Sequence, residues 1–335
     1  MSELNKIALK IVSSGKGILA ADESTATMTK RLESVKVKST DENRLKFRSI
    51  LLSSKSTKDC IGGVILYDDT IKQTYKDRSI PELISESDAV PGIKVDTGVK
   101  KLANSNEEKI TEGLDGLRER LKNYYNLGAR FTKWRAVYQI SNKYPSKLAI
   151  DVNAHALARY ASLVQEAGMV PIVEPEVLME GNHSAQDCFN KTSEVIKKCF
   201  DELIFHKVEL KGVILKPNMI LPGLESEQKI SSDEIAELTL KCLINSVPSE
   251  VPGVAFLSGG QSEIQATKNL NTINKQNKSK FIMTYSYGRA LQQSALKHWA
   301  KDIKDVEGTQ RVFNHRANMC ALASKGKWSE EVDKV

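Results

Sequence analysis

Eight short apolar runs rich in branched residues, each ending at a polar or glycine position, constrain this chain more than anything else in its sequence. They fall at residues 17–22, 63–67, 92–96, 130–135, 170–174, 212–216, 253–258 and 281–286, and each predicts a short buried strand. Helical patterns lie between them. Residues 41–54 follow a capping Thr40, and residues 110–127 carry Leu114, Leu117, Leu121 and Tyr125 on one face. Residues 153–167 and 184–205 continue the alternation, Ser231-Ser232-Asp233-Glu234 has the form of a capping box, and residues 262–273 and two segments from Ala290 onward complete it. Strand–helix alternation repeated in this way predicts parallel strands with crossover helices, and eight such units close into a TIM-type (β/α)8 barrel, an α/β fold. An open doubly wound sheet is the alternative, but the G-x-G-x-x-G that usually follows its first strand is missing here. No linker or composition break divides the chain, so residues 1–335 are expected to form a single domain. Leu4, Ile7, Ala8 and Ile11 predict an N-terminal helix over residues 2–13, and a C-terminal helical segment is expected over about 305–325.

Composition narrows the function classes. No stretch approaches the roughly 18 uninterrupted apolar residues of a membrane-spanning helix. The first ten residues hold Glu3 and Asn5 and lack the pattern of a secretion signal, so a cytoplasmic protein is expected. The cysteines Cys60, Cys188, Cys199, Cys242 and Cys320 are odd in number and form no C-x-x-C, which fits reduced, buried thiols. The formal charge of +7 matches lysine-rich helix faces such as Lys197-Lys198, Lys268, Lys275, Lys278 and Lys280. Without a basic run interleaved with aromatics, no nucleic-acid partner is expected, while an anionic small substrate stays open.

Barrels of this type keep their reacting groups at the carboxyl ends of the strands. Those positions hold Asp22, Lys94, Lys133, Arg135, Glu174, Glu176, Lys216, Ser258 and Ser286. One charge after an apolar run is an ordinary strand exit; acids and lysines at this end of six strands ask for more. Lys216 follows Val213-Ile214-Leu215 and precedes Pro217, which holds its backbone extended. Strand periodicity puts Ile214, Lys216 and Asn218 on one face. If that face turns inward, burial favours an uncharged amine able to attack a ketone and form an imine; otherwise the stem packs and the head reaches the rim. Lys133 and Arg135 share one side of the fourth run, and Glu174 and Glu176 share one side of the fifth. Two cations facing two carboxylates form either a structural salt-bridge lattice or an acid–base pair in which crowding leaves one carboxyl protonated. Pro175 predicts that the strand ends between the two glutamates, at the mouth.

Ser258-Gly259-Gly260 and Ser286-Tyr287-Gly288-Arg289 follow the seventh and eighth runs, where such barrels habitually bind phosphate through backbone N–H groups, and Arg289 adds a forked donor. Leu257-Ser258-Gly259-Gly260-Gln261 also spells the signature of ABC-type ATPases, but the G-x-x-x-x-G-K-[ST] loop such an enzyme needs does not occur. His155, His183, His206, His298 and His315 lie away from strand ends and form no H-x-H or H-E-x-x-H, so neither a metal-dependent aldol mechanism nor a histidine base is expected. No cofactor is implied.

The segments 15–24, 131–135, 171–176, 215–219, 256–262 and 285–291 together resemble class I fructose-bisphosphate aldolase, in order and over nearly the whole chain. The resemblance implies that Lys216 forms a Schiff base with a ketose phosphate. It makes Glu174 the acid and base of carbinolamine chemistry, assisted by Lys133, and Asp22 the group at the hydroxyl whose deprotonation drives cleavage, with Glu176 supporting the network. Ser258, Gly259, Gly260, Gly288 and Arg289 would hold one phosphate; Ser24, Thr27, Lys94 and Arg31 the other end; Arg135 and Ser286 would line the site. It further implies a small-molecule sugar phosphate as partner, no metal, and a homotetramer. Two departures stand out. Family members often carry a terminal tyrosine that exchanges the enamine proton, whereas no tyrosine follows Tyr287, so another group or water is expected to do that step. Ala26 stands where relatives often have glycine, and Thr27 keeps a hydroxyl where they have serine. Rival readings are a transaldolase-like Schiff-base barrel and a barrel serving as a scaffold for cytoskeletal or membrane partners.

Overall fold

The computed structural model describes residues 1–334. Its parallel strands are β1 (Gly17–Ala21), β2 (Ile61–Leu66), β3 (Val90–Lys94), β4 (Phe131–Tyr138), β5 (Val170–Val177), β6 (Ile214–Leu215), β7 (Gly253–Phe256) and β8 (Ile282–Tyr287). They form a closed barrel in which every strand pairs with its sequence neighbours and β8 returns to β1. Around and between them lie α1 (Glu3–Ile11), α2 (Thr25–Ser34), α3 (Asp41–Leu52), α4 (Lys55–Cys60), α5 (Ile80–Glu86), α6 (Leu117–Asn126) and α7 (Lys147–Glu166). They continue with α8 (Ala185–Phe205), α9 (Ser232–Ser246), α10 (Glu263–Gln276), α11 (Arg289–Trp299), α12 (Val306–Ala323) and α13 (Glu330–Asp333). Local sequence starts these helices: Ser184–Asp187, Ser231–Glu234 and Ser262–Gln265 form reciprocal capping boxes ahead of α8, α9 and α10.

The barrel interior explains where the site must be. Ile18, Ala20, Ile65, Phe131, Ile172, Ile214 and Ala255 fill its lower part and pack against Ala8, Ile11 and Val12 of the N-terminal segment. That segment plugs the amino-terminal end. Strand side chains alternate, so the next inward positions above Ile18, Phe131, Ile172 and Ile214 are two alternations or one higher: Asp22, Lys133, Glu174 and Lys216. An apolar floor thus forces the charged residues together at the open, carboxyl end. Outside the strands a second, larger core joins them to the helical ring.

Several elements differ from expectation. Residues 110–127 are not one helix. Residues 98–101 and 109–112 form an antiparallel hairpin, and α6 begins only at Leu117, after Gly113 and Gly116 adopt positive φ. Leu117 and Leu121 are buried on α6, but Tyr124 rather than Tyr125 joins them. The hairpin is tied to α7 by Asn153, whose amide donates to the Lys109 carbonyl (2.8 Å) and whose oxygen accepts from Thr111 N (3.3 Å). α7 starts at Lys147 behind a Ser146 cap, earlier than the predicted residue 153.

The fifth strand also runs through Pro175 instead of ending there. Lys216 N donates to the Val173 carbonyl (2.8 Å) and Val177 N to Asn218 Oδ1 (3.0 Å), so these positions of β5 face β6. Leu178 N donates to Tyr138 O (2.8 Å) on the β4 side. Pro175 therefore turns its missing donor toward β6, which has already stopped at Leu215, and no ladder bond is lost. That early stop also corrects the expected common face of Lys216 and Asn218. Asn218 swings outward and donates to Thr192 Oγ1 (3.1 Å) on α8.

Candidate active site

The carboxyl ends of the strands surround a cavity of about 800 Å³. Every residue singled out in the sequence lines it: Asp22, Ser24, Thr27 and Arg31 after β1; Lys94 on β3; Lys133 and Arg135 on β4; Glu174 and Glu176 on β5; Lys216 after β6; Ser258, Gly259 and Gly260 after β7; and Ser286, Gly288 and Arg289 at and after the end of β8. No histidine lines it among the described residues.

At its floor four charged groups form one chain. Lys133 Nζ lies 2.7 Å from Asp22 Oδ2 and 3.3 Å from Glu174 Oε2, and the other oxygen of Glu174 lies 3.1 Å from Lys216 Nζ. Lys133, Glu174 and Lys216 are each 4–5% exposed, so these charges meet with little water to screen them. Burial opposes the ionisation of Asp22, but the ammonium groups of Lys133 and Lys216 outweigh it and hold the carboxyl at about 2. Glu174 behaves alike: burial pushes it up, Lys133, Lys216 and Arg135 pull it down further, and it ends below the usual glutamate range. Lys133 is locked in its charged form, because Asp22 and Glu174 outweigh the cost of burying it. Glu176 moves the other way. Burial outweighs its ion pair with Arg135, and the neighbouring Glu174 charge adds to the rise. The two glutamates of β5 are thus driven apart, and the one kept more easily ionised is the one touching Lys216.

Groups of a kind that suits an anion ring the mouth. Gly259 and Gly260 occupy successive left-handed positions (φ 51° and 80°), a turn that glycine alone adopts without strain. Gly288 is the N-cap of α11 and Arg289 its first residue, so free N–H groups of a helix start border the cavity. Ser24 is the N-cap of α2; its hydroxyl accepts from Thr27 N (3.3 Å) and lies 3.1 Å from Thr27 Oγ1. Arg31 forms an ion pair with Glu23, and its Nη1 donates to Gln292 Oε1 (3.3 Å). Gln292 in turn donates to the Ala20 carbonyl (2.7 Å). Arg31 therefore belongs to the α11 side as well as to the Ser24 group. Its Nε and Nη2 are buried without a hydrogen-bond partner, as is Ser286 Oγ. Buried donors left unpaired are costly, which fits polar groups reserved for a ligand.

Sequence reasoning missed the supports of this ring. Glu23 follows Asp22 directly, yet only the fold shows that it also anchors Arg48 (3.8 Å), whose guanidinium donates to the Glu23 carbonyl (2.7 Å). Asp96 pairs with Lys94 at 3.3 Å. Gln292 acts on Arg31 from 261 residues away, beyond any spacing rule.

A family model described as fructose-bisphosphate aldolase class-I matches residues 3–335. The chain is 46% identical over 330 residues to a probable fructose-bisphosphate aldolase class 1 of Xylella fastidiosa, covering 98% of this chain and 99% of the relative. It is 47% identical over 326 residues to the cytosolic fructose-bisphosphate aldolase 4 of Arabidopsis thaliana, covering 97% of this chain and 83% of the relative. Among solved structures it is similar to the aldolase of Plasmodium falciparum in a ternary complex with TRAP and a small-molecule inhibitor. That match has a TM-score of 0.96 at 43% identity, over 98% of this chain and 95% of the other.

Proposed function

The chain belongs to the class I fructose-bisphosphate aldolase family, and on that premise we propose that Lys216 is the lysine through which it works. As a member of this family it is a lyase that reversibly cleaves fructose 1,6-bisphosphate to dihydroxyacetone phosphate and glyceraldehyde 3-phosphate, a step of glycolysis run backward in gluconeogenesis. The observation that supports Lys216 is its amine, buried at the cavity floor 3.1 Å from Glu174.

Glu174 takes a proton from the Lys216 ammonium, and the freed amine attacks C2 of the ketose; a second proton passes from the nitrogen to the new alkoxide and leaves a carbinolamine. One of the two ammonium charges that depress Glu174 is then gone, so its affinity for the proton rises at the moment it must act as an acid. It returns the proton to the departing hydroxyl, water leaves, and a protonated imine remains. Asp22, ionised and fixed by Lys133, receives the proton of the C4 hydroxyl. The C3–C4 bond breaks, its electron pair flows into the imine to give an enamine, and glyceraldehyde 3-phosphate departs. Protonation of the enamine and hydrolysis of the imine release dihydroxyacetone phosphate and restore the amine. Lys133 stays charged throughout, holding both carboxylates in place.

Ser258, Gly259, Gly288, Arg289 and the unpaired edge of Arg31 suit one phosphate, and Ser24, Thr27 and Lys94 the other. Arg289→Ala and Lys94→Met test this division. Each is expected to raise KM for the bisphosphate at least tenfold, and only one of the two should impair cleavage of fructose 1-phosphate; equal effects on both substrates would refute it. Assembly as a homotetramer and residence in the cytoplasm belong to the same proposal. In support of the location, relatives named cytosolic match over 97–98% of this chain.

A further inference from the structure

Far from the barrel mouth, on the outer helical ring, two imidazoles converge on one carboxylate. His155 lies on α7, Glu202 on the last turn of α8, and His206 is the C-cap residue of α8. Their ligand-type atoms all lie within 4.8 Å of one another. His155 Nδ1 is 3.3 Å and His206 Nδ1 3.8 Å from the same Glu202 oxygen, Oε2, and the ring centroids are 4.9 Å apart. None of the three lines the catalytic cavity. We propose that His155, Glu202 and His206 bind a divalent transition-metal ion of the zinc class, which clamps α7 to α8.

Four observations carry this. Two imidazole nitrogens and one carboxylate oxygen are a three-ligand set that zinc accepts, with the fourth position left to water. Glu202 and His206 are one helical turn apart, so α8 presents them on one face, while His155 comes from a neighbouring helix packed firmly against it. The Nδ1 of His206 lies 2.9 Å from the Glu202 carbonyl; a proton donated there leaves Nε2 with its lone pair as the ligating atom, so the 3.8 Å from Nδ1 to Oε2 marks the nearness of the ring and is not a ligand spacing. Finally, the other oxygen of Glu202 is held by Lys198 at 2.8 Å, which orients the carboxylate and leaves Oε2 turned to the imidazoles. Lys198 also lies 3.6 Å from Asp151, so its charge has a second partner when an ion arrives. His155 Nδ1 and Glu202 Oε2 already stand at the spacing of two zinc ligands (3.3 Å), whereas the His206 ring, its Nδ1 3.8 Å from that oxygen, has to move closer; His155, with its side chain half exposed, is free to adjust with it.

The site adds nothing to the chemistry at Lys216. It joins the two helices that flank β5 in sequence and would stabilise them by mass action. The test uses the full-length protein, stripped with EDTA and titrated with Zn2+ and with Co2+ at mildly alkaline pH. One ion per chain is expected, with a rise in Tm and a Co2+ spectrum of nitrogen and oxygen ligation. His155→Ala changes a half-exposed residue; it should keep basal aldolase activity, weaken binding at least about tenfold and lose the Tm rise. His206→Ala should do the same to binding. Absence of saturable binding in the parent, binding retained in either variant, or a thiolate charge-transfer band in the Co2+ spectrum would each overturn the proposal.

Discussion

Lys133 shows most clearly how single residues divide the work at the cavity floor. Its ammonium lies against both acids, so neither Asp22 nor Glu174 is free to choose its protonation state alone. The pair is also a stability device with a definite pH range. The Asp22 carboxyl drops from 3.8 to about 2 in the folded chain, which corresponds to about 2 kcal/mol. Because the folded value is the lower one, this contribution is present above about pH 4 and is lost as the pH falls toward 2. Urea unfolding at stepped pH should show that loss, and Asp22→Asn should flatten this part of the curve; an unchanged slope in the variant would contradict the assignment. Residues like Lys133 and Glu174 were legible beforehand as strand-end charges, because alternation puts each pair on one side of its strand; which side turns inward is seen only in the closed barrel. Gln292 and Glu23 were not, since each matters through a partner on another element that the closed barrel brings near, and Asp96 was not, although its partner Lys94 is only two residues away.

Elements carry the polarity of the barrel. The plug formed by α1 makes the amino-terminal end apolar, and its fit against the strands is close: a methyl group added at Gly62 would run into the Ile11 carbonyl. Gly62→Ala should therefore cost about 1–3 kcal/mol and speed amide exchange along α1. The aldolase site, at the opposite end, should keep most of its kcat in the surviving folded fraction. Unaltered exchange in α1 would show that the plug tolerates the methyl. Strand positions followed directly from branched apolar runs, but their ends did not. β5 outlasts its proline because the strand beside it stops first, and β6 is a two-residue strand because Pro217 ends it. The hairpin's second strand was hidden because the helical spacing of Leu114, Leu117 and Leu121, unbroken across Gly116, extends back through Gly113 to Ile110, although the backbone changes hand at both glycines.

At the scale of the whole molecule, the outer core encloses all five cysteines. Burial pushes Cys60 and Cys199 up to about 12, and Cys242 and Cys320 up to about 11. At neutral pH a thiol reagent should find almost none of them in the native protein and all five after denaturation; rapid native labelling would mean that the helical ring opens. The closed ring of strands was foreseeable from the eightfold alternation, as was the site at its carboxyl end, whereas the His155–Glu202–His206 group shows in sequence spacing only its Glu202–His206 half and depends on how two outer helices pack to gain His155. The account as a whole rests on a covalent bond at one amine. Reduction with borohydride in the presence of dihydroxyacetone phosphate, followed by peptide mass mapping, measures it directly. One reduced adduct per chain on Lys216, with parallel loss of activity, is the predicted result; an adduct on Lys133 or Lys94, or full activity with no adduct at all, would contradict it.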